Sequence, residues 1–599
     1  MLAGWVVVSA ALFYIVLLFL VATYGDRASR NRSAPNAGFV KRYSARPTLY
    51  ALSLAVYCTS WTFFGSVGLA ARTGWDFIGI YTGPILVFTV GYPLVRHIVA
   101  VSKAQRITSV ADFISARYGK SQTVAMVATL IAVVGSVPYI ALQLKAVSSS
   151  LAATVLQSQS GSAADLSLPF IGDIALLVAV AMALFAILFG TRHTDATEHQ
   201  EGLMLAVATE SLVKLIAFIS VGVFVLTVLF DGPTAMFQAA AEAGDILPLY
   251  GSMNWGQLAV FTLLSSMAVL LLPRQFHVAV VENNNRQELK RAAWLFPLYL
   301  VAINLFVVPI AIAGRTTLGP EVSGDLFVVA LPLSTESVFF VIAAFIGGLS
   351  AATAMVIVAA VALSIMISNQ IVLPILLRRS PAHFAGRDMT QTVLNVRRVA
   401  IFAVLALGYL YYEVAGDSAA LASIGLLSFA AIAQLAPAFL GGLIWRRATA
   451  RGAVAAMVIG FATWFYTLLL PSFANSSAAL ATLVAEGPFQ QLWLRPEHLF
   501  GSQLPPLTHA VIWSLAANIL GFVIFSLTRK PLPLERLQAD SFVHNALPNT
   551  GTLLAHRRSW RGNVTVEELQ QTIARYLGLE RTERAFNAYA KDNRVVLTP

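Results

Sequence analysis

Charged residues are scarce in this sequence, and cysteine is nearly absent. Asp, Glu, Lys and Arg together make up 12% of the 599 residues, whereas hydrophobic residues make up 57%. A chain this apolar is not an ordinary soluble protein. The single cysteine, Cys58, excludes an intramolecular disulfide and a cysteine-based metal cage.

Enzyme signatures are missing as well. The sequence contains no Walker loop, no glycine-rich nucleotide motif after a strand, no H-E-x-x-H helix and no G-x-S-x-G context. His193 and His199 lie close together, but their spacing matches no zinc signature. We therefore predict that this chain is not an enzyme and has no catalytic residue, no metal site and no organic cofactor.

Long hydrophobic runs dominate the chain instead. A membrane helix needs roughly 20 mainly apolar residues, and thirteen stretches satisfy this requirement. We predict an all-α membrane protein whose thirteen transmembrane helices lie near residues 4–24, 48–71, 76–98, 122–152, 171–190, 202–230, 256–273, 292–314, 337–370, 396–413, 420–444, 452–470 and 508–527.

Lys and Arg are distributed unevenly between the predicted loops. They recur in every second loop, starting with residues 25–47, whereas the opposite loops offer only Arg72, Arg315 and Arg495. Cytoplasmic loops carry an excess of basic residues, so we predict a periplasmic N-terminus and a cytoplasmic C-terminus in a bacterial inner membrane. The same loops explain the net charge of +11 without binding to nucleic acid.

The composition changes after the last predicted span. Residues 1–530 form the predicted transmembrane domain, whereas residues 531–599 are polar and charged. Thr565 and Glu568 match a capping box, after which apolar residues recur on one helical face. We interpret this part as a small cytoplasmic helical domain, and the alternative is a solvated tail with weak helices.

One apolar stretch holds groups that lipid disfavours. Residues 52–74 carry Cys58, Thr59 and Ser60 near their middle, followed by several glycines. Unwound backbone is tolerated in mid-membrane only where it lines a cavity or is buried in protein, and transporters bind solutes at such interrupted helices. The alternative is a continuous helix whose small residues let neighbouring helices approach closely.

Glu210 and Lys214 are ionisable residues inside a predicted span. Their i,i+4 spacing places them on one helical face, where they can pair. Ionisable groups in a span usually face an interior or a wet cavity, so the pair has either a coupling or gating role or a structural one. Asp195, in the polar loop before this span, is a candidate gating residue or a helix cap.

Other spans also carry polar side chains near their middle. They include Gln143, Ser350 and Thr353, and also Ser265 and Ser266, where we expect the apolar run 256–273 to be interrupted. Each alone is a weak signal, because Ser and Thr in spans often bond their own helix backbone. Together they place polar atoms on several helices, as a ligand cavity requires. The residues by themselves predict a small polar solute in a cavity between spans two, four, seven, nine and eleven.

Four motifs resemble a known family. They are YCTSWTFFGSVG at 57–68, LFGTRH-DATEHQEGL at 188–203 (the dash is Thr194), ESLVKL at 210–215 and LPRQFHVAVVEN at 272–283. They are similar to the transporter-like input domains of CbrA-type sensor histidine kinases, within the sodium/solute symporter family, and the likeness covers essentially the whole chain. It implies the inverted five-plus-five repeat of the leucine transporter, with broken helices at 48–71 and 256–273 and a helical linker at 541–599.

The same resemblance implies a function. The chain would be a transporter-like sensor that binds, and carries, histidine in a lipid bilayer and relays occupancy to a histidine kinase module and a response regulator. The expected solute-binding residues are Tyr57, Ser60, Trp61, Gln143 and Ser265. The expected coupling or gating residues are Glu210, Lys214, Asp195 and Thr353.

The chain departs from this family pattern at two points. No phosphoacceptor helix or ATP-binding module follows the linker, so the chain is either a truncated input half or a member without its own kinase. Sodium-coupled members place a Ser/Thr hydroxyl pair in the eighth core helix, where this chain has Ala354 and Met355. A hard cation prefers oxygen ligands, so we expect proton rather than sodium coupling. A plain ion-coupled amino-acid transporter without a signalling role is the alternative function.

Overall fold

A computed structural model describes residues 4–32, 46–156, 174–190, 200–319, 321–379, 389–415, 420–544 and 565–577, together with positions 579, 582–583, 586–587 and 589–590. Within these residues all regular structure is helical. The predicted gating residue Asp195 and the two histidines beside it lie outside the described residues, as does most of the predicted C-terminal domain.

The helices are numbered here in chain order. The first are α1 (Gly4–Arg32), α2 (Arg46–Ser53), α3 (Ser66–Thr73), α4 (Gly79–Phe88), α5 (Tyr92–Gln105), α6 (Val110–Arg117), α7 (Gln122–Leu156), α8 (Ile174–Gly190) and α9 (Glu201–Phe224). The next are α10 (Pro233–Ala243), α11 (Trp255–Leu271), α12 (Pro273–Phe276), α13 (Arg286–Asn304), α14 (Val307–Thr317), α15 (Phe327–Ser334), α16 (Val338–Met366), α17 (Leu373–Arg379) and α18 (Thr390–Ala415). The last are α19 (Leu421–Ala433), α20 (Ala436–Ile444), α21 (Ala450–Trp464), α22 (Ala478–Glu486), α23 (Pro506–Leu527), α24 (Pro533–His544) and α25 (Val566–Leu577).

The number of membrane spans differs from the prediction. Among the described residues, nine helices are long and apolar enough to cross a membrane, or eleven if each of two bent helix pairs is one span. The protein is therefore an all-α multi-pass membrane protein, but the count of thirteen is not confirmed. The difference arises at 76–98, which is divided between α4 and α5, and at 171–190, where the apolar helix Ala175–Leu188 is short.

Two of the helices bend sharply in mid-course. Arg46–Tyr57 meets Trp61–Phe88 at 65°, and Trp255–Leu271 meets Pro273–Val281 at 53°. The first bend confirms the predicted interruption at Cys58–Ser60. The second helix is broken as predicted, but at Leu272 rather than at its serines. Side chains of α7, α9 and α19 pack around these two breaks.

The chain divides into two compact units, residues 1–546 and 547–599, whereas the predicted boundary lies between residues 530 and 531. Helix α24 belongs to the first unit because it packs on α6 and α20, where the Phe542 and Phe113 rings lie 5.2 Å apart. In the second unit, the capping box before α25 is confirmed: Thr565 N donates to Glu568 Oε2, and Glu568 N donates to Thr565 Oγ1.

Candidate functional site

The first break forms without a proline. Cys58 has extended backbone, with φ −78° and ψ 102°, so the helix that began in α2 ends there. Thr59 Oγ1 accepts a hydrogen bond from Trp61 N at 3.2 Å. This side-chain oxygen replaces the backbone carbonyl that would accept the bond in a continuous helix, and the next helical turn begins there. Backbone groups released at such a break need other partners, because they are buried.

Two side chains from other helices satisfy the released groups. Lys214 Nζ of α9 donates to Ala55 O at 2.7 Å and to Cys58 O at 2.6 Å. Gln143 Oε1 of α7 accepts from Ser60 N at 3.1 Å. Leaving a buried backbone group unpaired costs about 1–3 kcal/mol, so α7 and α9 stabilise the unwound conformation.

Aromatic side chains complete the surroundings of the first break. The Tyr139 hydroxyl is hydrogen-bonded to Thr59 Oγ1 at 2.9 Å, and its ring stacks on Phe429 with centroids 5.6 Å apart. Trp61 Nε1 donates to Ala422 O at 3.2 Å. Helices α7 and α19 therefore meet at this break, as the predicted cavity between spans four and eleven requires.

The second break has a different cause. Leu272 has φ −57° and ψ 129°, because the residue before a proline is pushed out of the helical region, and Pro273 then begins α12. The prediction of a break at Ser265 and Ser266 is wrong. Ser266 Oγ donates to Thr262 O at 2.7 Å, a bond within the helix that leaves α11 continuous.

Two polar side chains follow directly after the second break. Arg274 Cζ lies 4.4 Å from the centroid of the Tyr139 ring, within the range of a cation–π contact. Gln275 Nε2 donates to Leu54 O at 3.4 Å. Helix α12 thus contacts the surroundings of the first break. Sequence reasoning used these residues only as part of a motif. A cation beside a proline in an apolar run was the signal that could have singled out Arg274.

The predicted ion pair between Glu210 and Lys214 is not formed. Lys214 reaches the first break, whereas Glu210 Oε1 accepts from Thr353 Oγ1 at 2.5 Å. Ser350 Oγ donates to the backbone carbonyl of Glu210 at 2.8 Å. The two ionisable groups share one helix but bind different neighbours, which links α9 to the first break and to α16. Three of the predicted coupling residues therefore belong to one connected region.

The predicted solute residues do not all lie at the first break. Tyr57, Ser60, Trp61 and Gln143 surround the first break, where Tyr57 donates from its hydroxyl to Ile80 O at 2.8 Å. Ser265 lies about two turns before Leu272 and donates to Gly79 O at 2.9 Å. The structure thus gathers the first four, whereas Ser265 is further from the breaks and its hydroxyl is already bonded.

The region around the breaks is closed to water in this conformation. Ser60 and Gln143 are 0% exposed, Arg274 1% and Trp61 3%, so the predicted water-accessible hollow is not open. A separate cavity of about 350 Å³ lies between α1, α7, α8 and α16, and among the described residues that line it only Thr353 is polar. That lining suits an apolar chain better than a polar solute.

A carboxylate, Asp325, joins separate helices of the bundle. Asp325, just before α15, accepts from Leu421 N at 2.9 Å and so caps α19, as a carboxylate does at a helix N-terminus. Gly68 permits this approach, because a Cβ there would lie 1.8 Å from Asp325 Oδ1. Asp325 was not identified from the sequence, since nothing in the chain order relates it to α3.

A second charged cluster lies at the start of α2. Arg46 forms salt bridges with Glu201 and, at 3.0 Å, with Glu288. Lys103 Nζ donates to Asn283 Oδ1 at 2.7 Å, and burial lowers the pKa of Lys103. These contacts connect α2, α5, α9 and α13 on the side that the loop charges predict to be cytoplasmic. Across the described residues, His, Cys, Asp and Glu form no group of three suited to a metal ion.

Comparisons with known proteins agree with this architecture. No model of a protein family matches the chain. An uncharacterized symporter of Bacillus subtilis (strain 168), YhjB, is 24% identical over 410 residues, which is 67% of this chain and 76% of that protein. The fold is similar to that of a Na+-coupled sialic acid symporter in a substrate-bound, outward-open state. The TM-score is 0.57 at 16% identity, and the match covers 88% of this chain and 98% of that one. The fold is thus that of the leucine-transporter-like symporters.

Proposed function

We propose that this protein is a secondary transporter that binds and carries a small amino acid. The observation that carries the proposal is the pair of broken helices, whose breaks both contact one side chain of α7: Tyr139 is hydrogen-bonded to Thr59 and its ring lies under the Arg274 guanidinium. Interrupted helices of this kind provide polar backbone for a solute in mid-membrane. The likeness to two symporters supports the same reading.

The solute site of this proposal is the space that opens around the breaks. Its residues are Tyr57, Ser60, Trp61, Gln143 and Ser265, with Glu210, Lys214, Thr353 and Asp195 in coupling or gating. Histidine is the proposed solute, on the strength of the motif resemblance. Because the described conformation is closed, the helices must move apart for entry, and alternating access in this fold proceeds by such movement.

The proposed coupling ion is the proton rather than sodium. Lys214 supplies a positive charge to Ala55 O and Cys58 O, which are oxygens of the kind that a hard cation prefers. Ala354 and Met355, buried in α16, add no side-chain oxygen. The sodium coupling of the sialic acid symporter favours the opposite assignment, so the two ions need separate tests.

We also propose that occupancy is relayed to a histidine kinase and a response regulator through the residues after α23. Helix α24 supports this relay, because it is bonded to two helices of the transmembrane unit, α5 and α21. Its Phe542 O bonds to His97 Nε2 at 2.7 Å, and its Glu535 Oε1 accepts from Ala450 N at 3.1 Å. Opening of the bundle between α5 and α21 would change these contacts, and thereby shift the population of tail conformations.

Uptake of labelled histidine into proteoliposomes tests transport and coupling together. A proton gradient alone should drive accumulation, and a sodium gradient alone should not. Accumulation under sodium alone would contradict the assignment of the coupling ion but not the transport function. Absence of uptake under either gradient, with intact protein, would contradict transport.

Hydrogen exchange tests the relay separately. Histidine should change the exchange protection of the amides of α24, because its contacts span moving elements. Unchanged protection at α24 during demonstrated histidine binding would favour the plain transporter without a signalling role.

A further inference from the structure

Several buried hydrogen-bonding atoms at the two helix breaks have no partner. Ser60 Oγ, Arg274 Nε, Arg274 Nη2 and Gln275 Oε1 are buried and have no hydrogen-bond partner in the described structure. Buried polar atoms are normally paired, and exceptions call for an explanation. All of them belong to residues that lie at, or directly after, one of the two helix breaks.

Arg274 presents a specific pair of donors. Its guanidinium lies over the Tyr139 ring, 4.4 Å from the centroid, and Tyr139 is itself fixed by Thr59 of the first break. Nε and Nη2 form one edge of the planar guanidinium. This edge makes the two parallel bonds of a side-on Arg–carboxylate pair. The atoms without partners are thus the two that a carboxylate engages.

The charge around the breaks is unbalanced. Arg274 and Lys214 are both buried cations, and the carboxylate that lies nearest along α9, Glu210, is bonded to Thr353. No salt bridge to Arg274 occurs in the part of the chain that the structure describes. A buried cation without an anion is strongly unfavourable, so an anion from outside the chain would stabilise this arrangement.

We infer that Arg274 is the specificity-determining residue of the site and binds the carboxylate of the solute side-on through Nε and Nη2. The inference rests on the proposed function, since it takes the break region as the solute site. This inference narrows the substrate class to molecules that carry a carboxylate, a class that includes free amino acids. The guanidinium lies over the Tyr139 ring, and the unpaired Ser60 hydroxyl at the first break is a further donor.

The test compares ligands that differ by the carboxylate alone. Purified full-length protein in nanodiscs is titrated with histidine and with histamine, and binding is measured by calorimetry. Histidine should bind at least about 10-fold more tightly than histamine, as expected for a charge-assisted bidentate pair. Equal affinities for the two ligands would overturn the inference while leaving an amine-binding transporter intact.

Variants at position 274 and a matched control locate the effect. Arg274→Met should remove the preference for histidine. Arg274→Lys keeps the charge but not the planar edge, so it should retain only part of the preference and remains informative if Arg274→Met does not fold. Arg117 is equally buried, but it donates to Gly442 O and Trp445 O, so Arg117→Lys should leave the ratio unchanged. A ratio retained in both Arg274 variants would overturn the inference.

Failure of the proposed function gives a different result. If the wild-type protein binds neither ligand, it is titrated with carboxylates that lack the amino group, such as imidazolepropionate, propionate and lactate. Binding of one of these that is lost in Arg274→Lys would support Arg274 as the carboxylate anchor and reject amino-acid transport. Binding of none of them would reject both.

Discussion

The two helix breaks differ in how their polar groups are used. At the first break, side chains from α7 and α9 occupy the released backbone groups, and no proline is involved. At the second, a proline sets the break, and the arginine that follows keeps two donors free. The released backbone groups of the first break are thus bonded by the protein itself, whereas the arginine after the second break has an edge that a solute could bind. On the inference above, the first break depends mainly on contacts within the protein, and the second supplies the residue that selects the solute.

This comparison predicts the largest effect on folding at Lys214. Lys214→Met leaves Cys58 O unpaired and removes the cation from Ala55 O, which keeps its hydrogen bond from Cys58 N at 3.0 Å. An unpaired buried carbonyl costs about 1–3 kcal/mol, and a charge-assisted bond is lost as well, so the thermal stability should fall strongly and solute binding should be abolished. Melting of the purified variant in detergent measures the loss. Lys103→Met is the control for removing a lysine elsewhere, because Lys103 donates one bond to Asn283, in the loop before α13, and touches neither break. Near-wild-type melting of Lys214→Met would remove this distinction between the two breaks.

The first break shows what the sequence could predict. Its position was predicted from the polar residues Cys58–Ser60 within an apolar run, because lipid excludes such groups from a continuous exposed helix. Its partners could not be identified, since Lys214 and Gln143 reach it from helices remote in sequence. The i,i+4 rule paired Lys214 with Glu210 instead, because a local rule carries no information about a tertiary acceptor.

The second break shows why the prediction was misplaced there. Ser265 and Ser266 were polar enough to suggest an interruption. However, Ser265 donates to Gly79 O of α4 and Ser266 donates to Thr262 O of its own helix, and neither bond interrupts α11. The proline at 273 was the stronger signal, because its restriction of the preceding residue is covalent. The fold class, by contrast, followed from hydrophobic run length alone, which is the feature that lipid constrains most tightly.

A smaller effect is expected at Gln143, which sharpens the comparison within the first break. Gln143→Leu leaves Ser60 N unpaired and should lower the stability by about 1–3 kcal/mol. Gln143→Glu keeps an acceptor in the same position, so it should recover part of that loss. Equal melting temperatures for the two variants would mean that the acceptor does not hold the break.

Replacing the proline tests the second break directly. Pro273→Ala lets Leu272 return to the helical region and restores a backbone donor, so α11 can continue past the break in part of the population. Solute binding should weaken about fivefold, equivalent to about 1 kcal/mol of lost preorganisation, with little change in melting temperature. Pro297→Ala, inside α13, is the control for removing a proline elsewhere. An unchanged affinity in Pro273→Ala would show that Arg274 does not depend on the break.

The smallest effect is expected at Ser265, the one predicted solute residue that lies away from both breaks. Its hydroxyl already donates to Gly79 O, and the net worth of such a bond is about 1 kcal/mol. Ser265→Ala should therefore lower stability by no more than that and leave the affinity for solute within about threefold, because this hydroxyl is already bonded to protein and contributes least of the five proposed solute residues. Calorimetric titration of Ser265→Ala beside Arg274→Lys gives the contrast. A loss of binding at Ser265 as large as that at Arg274 would move the solute site along α11, away from the breaks, and the division of labour between them would no longer hold.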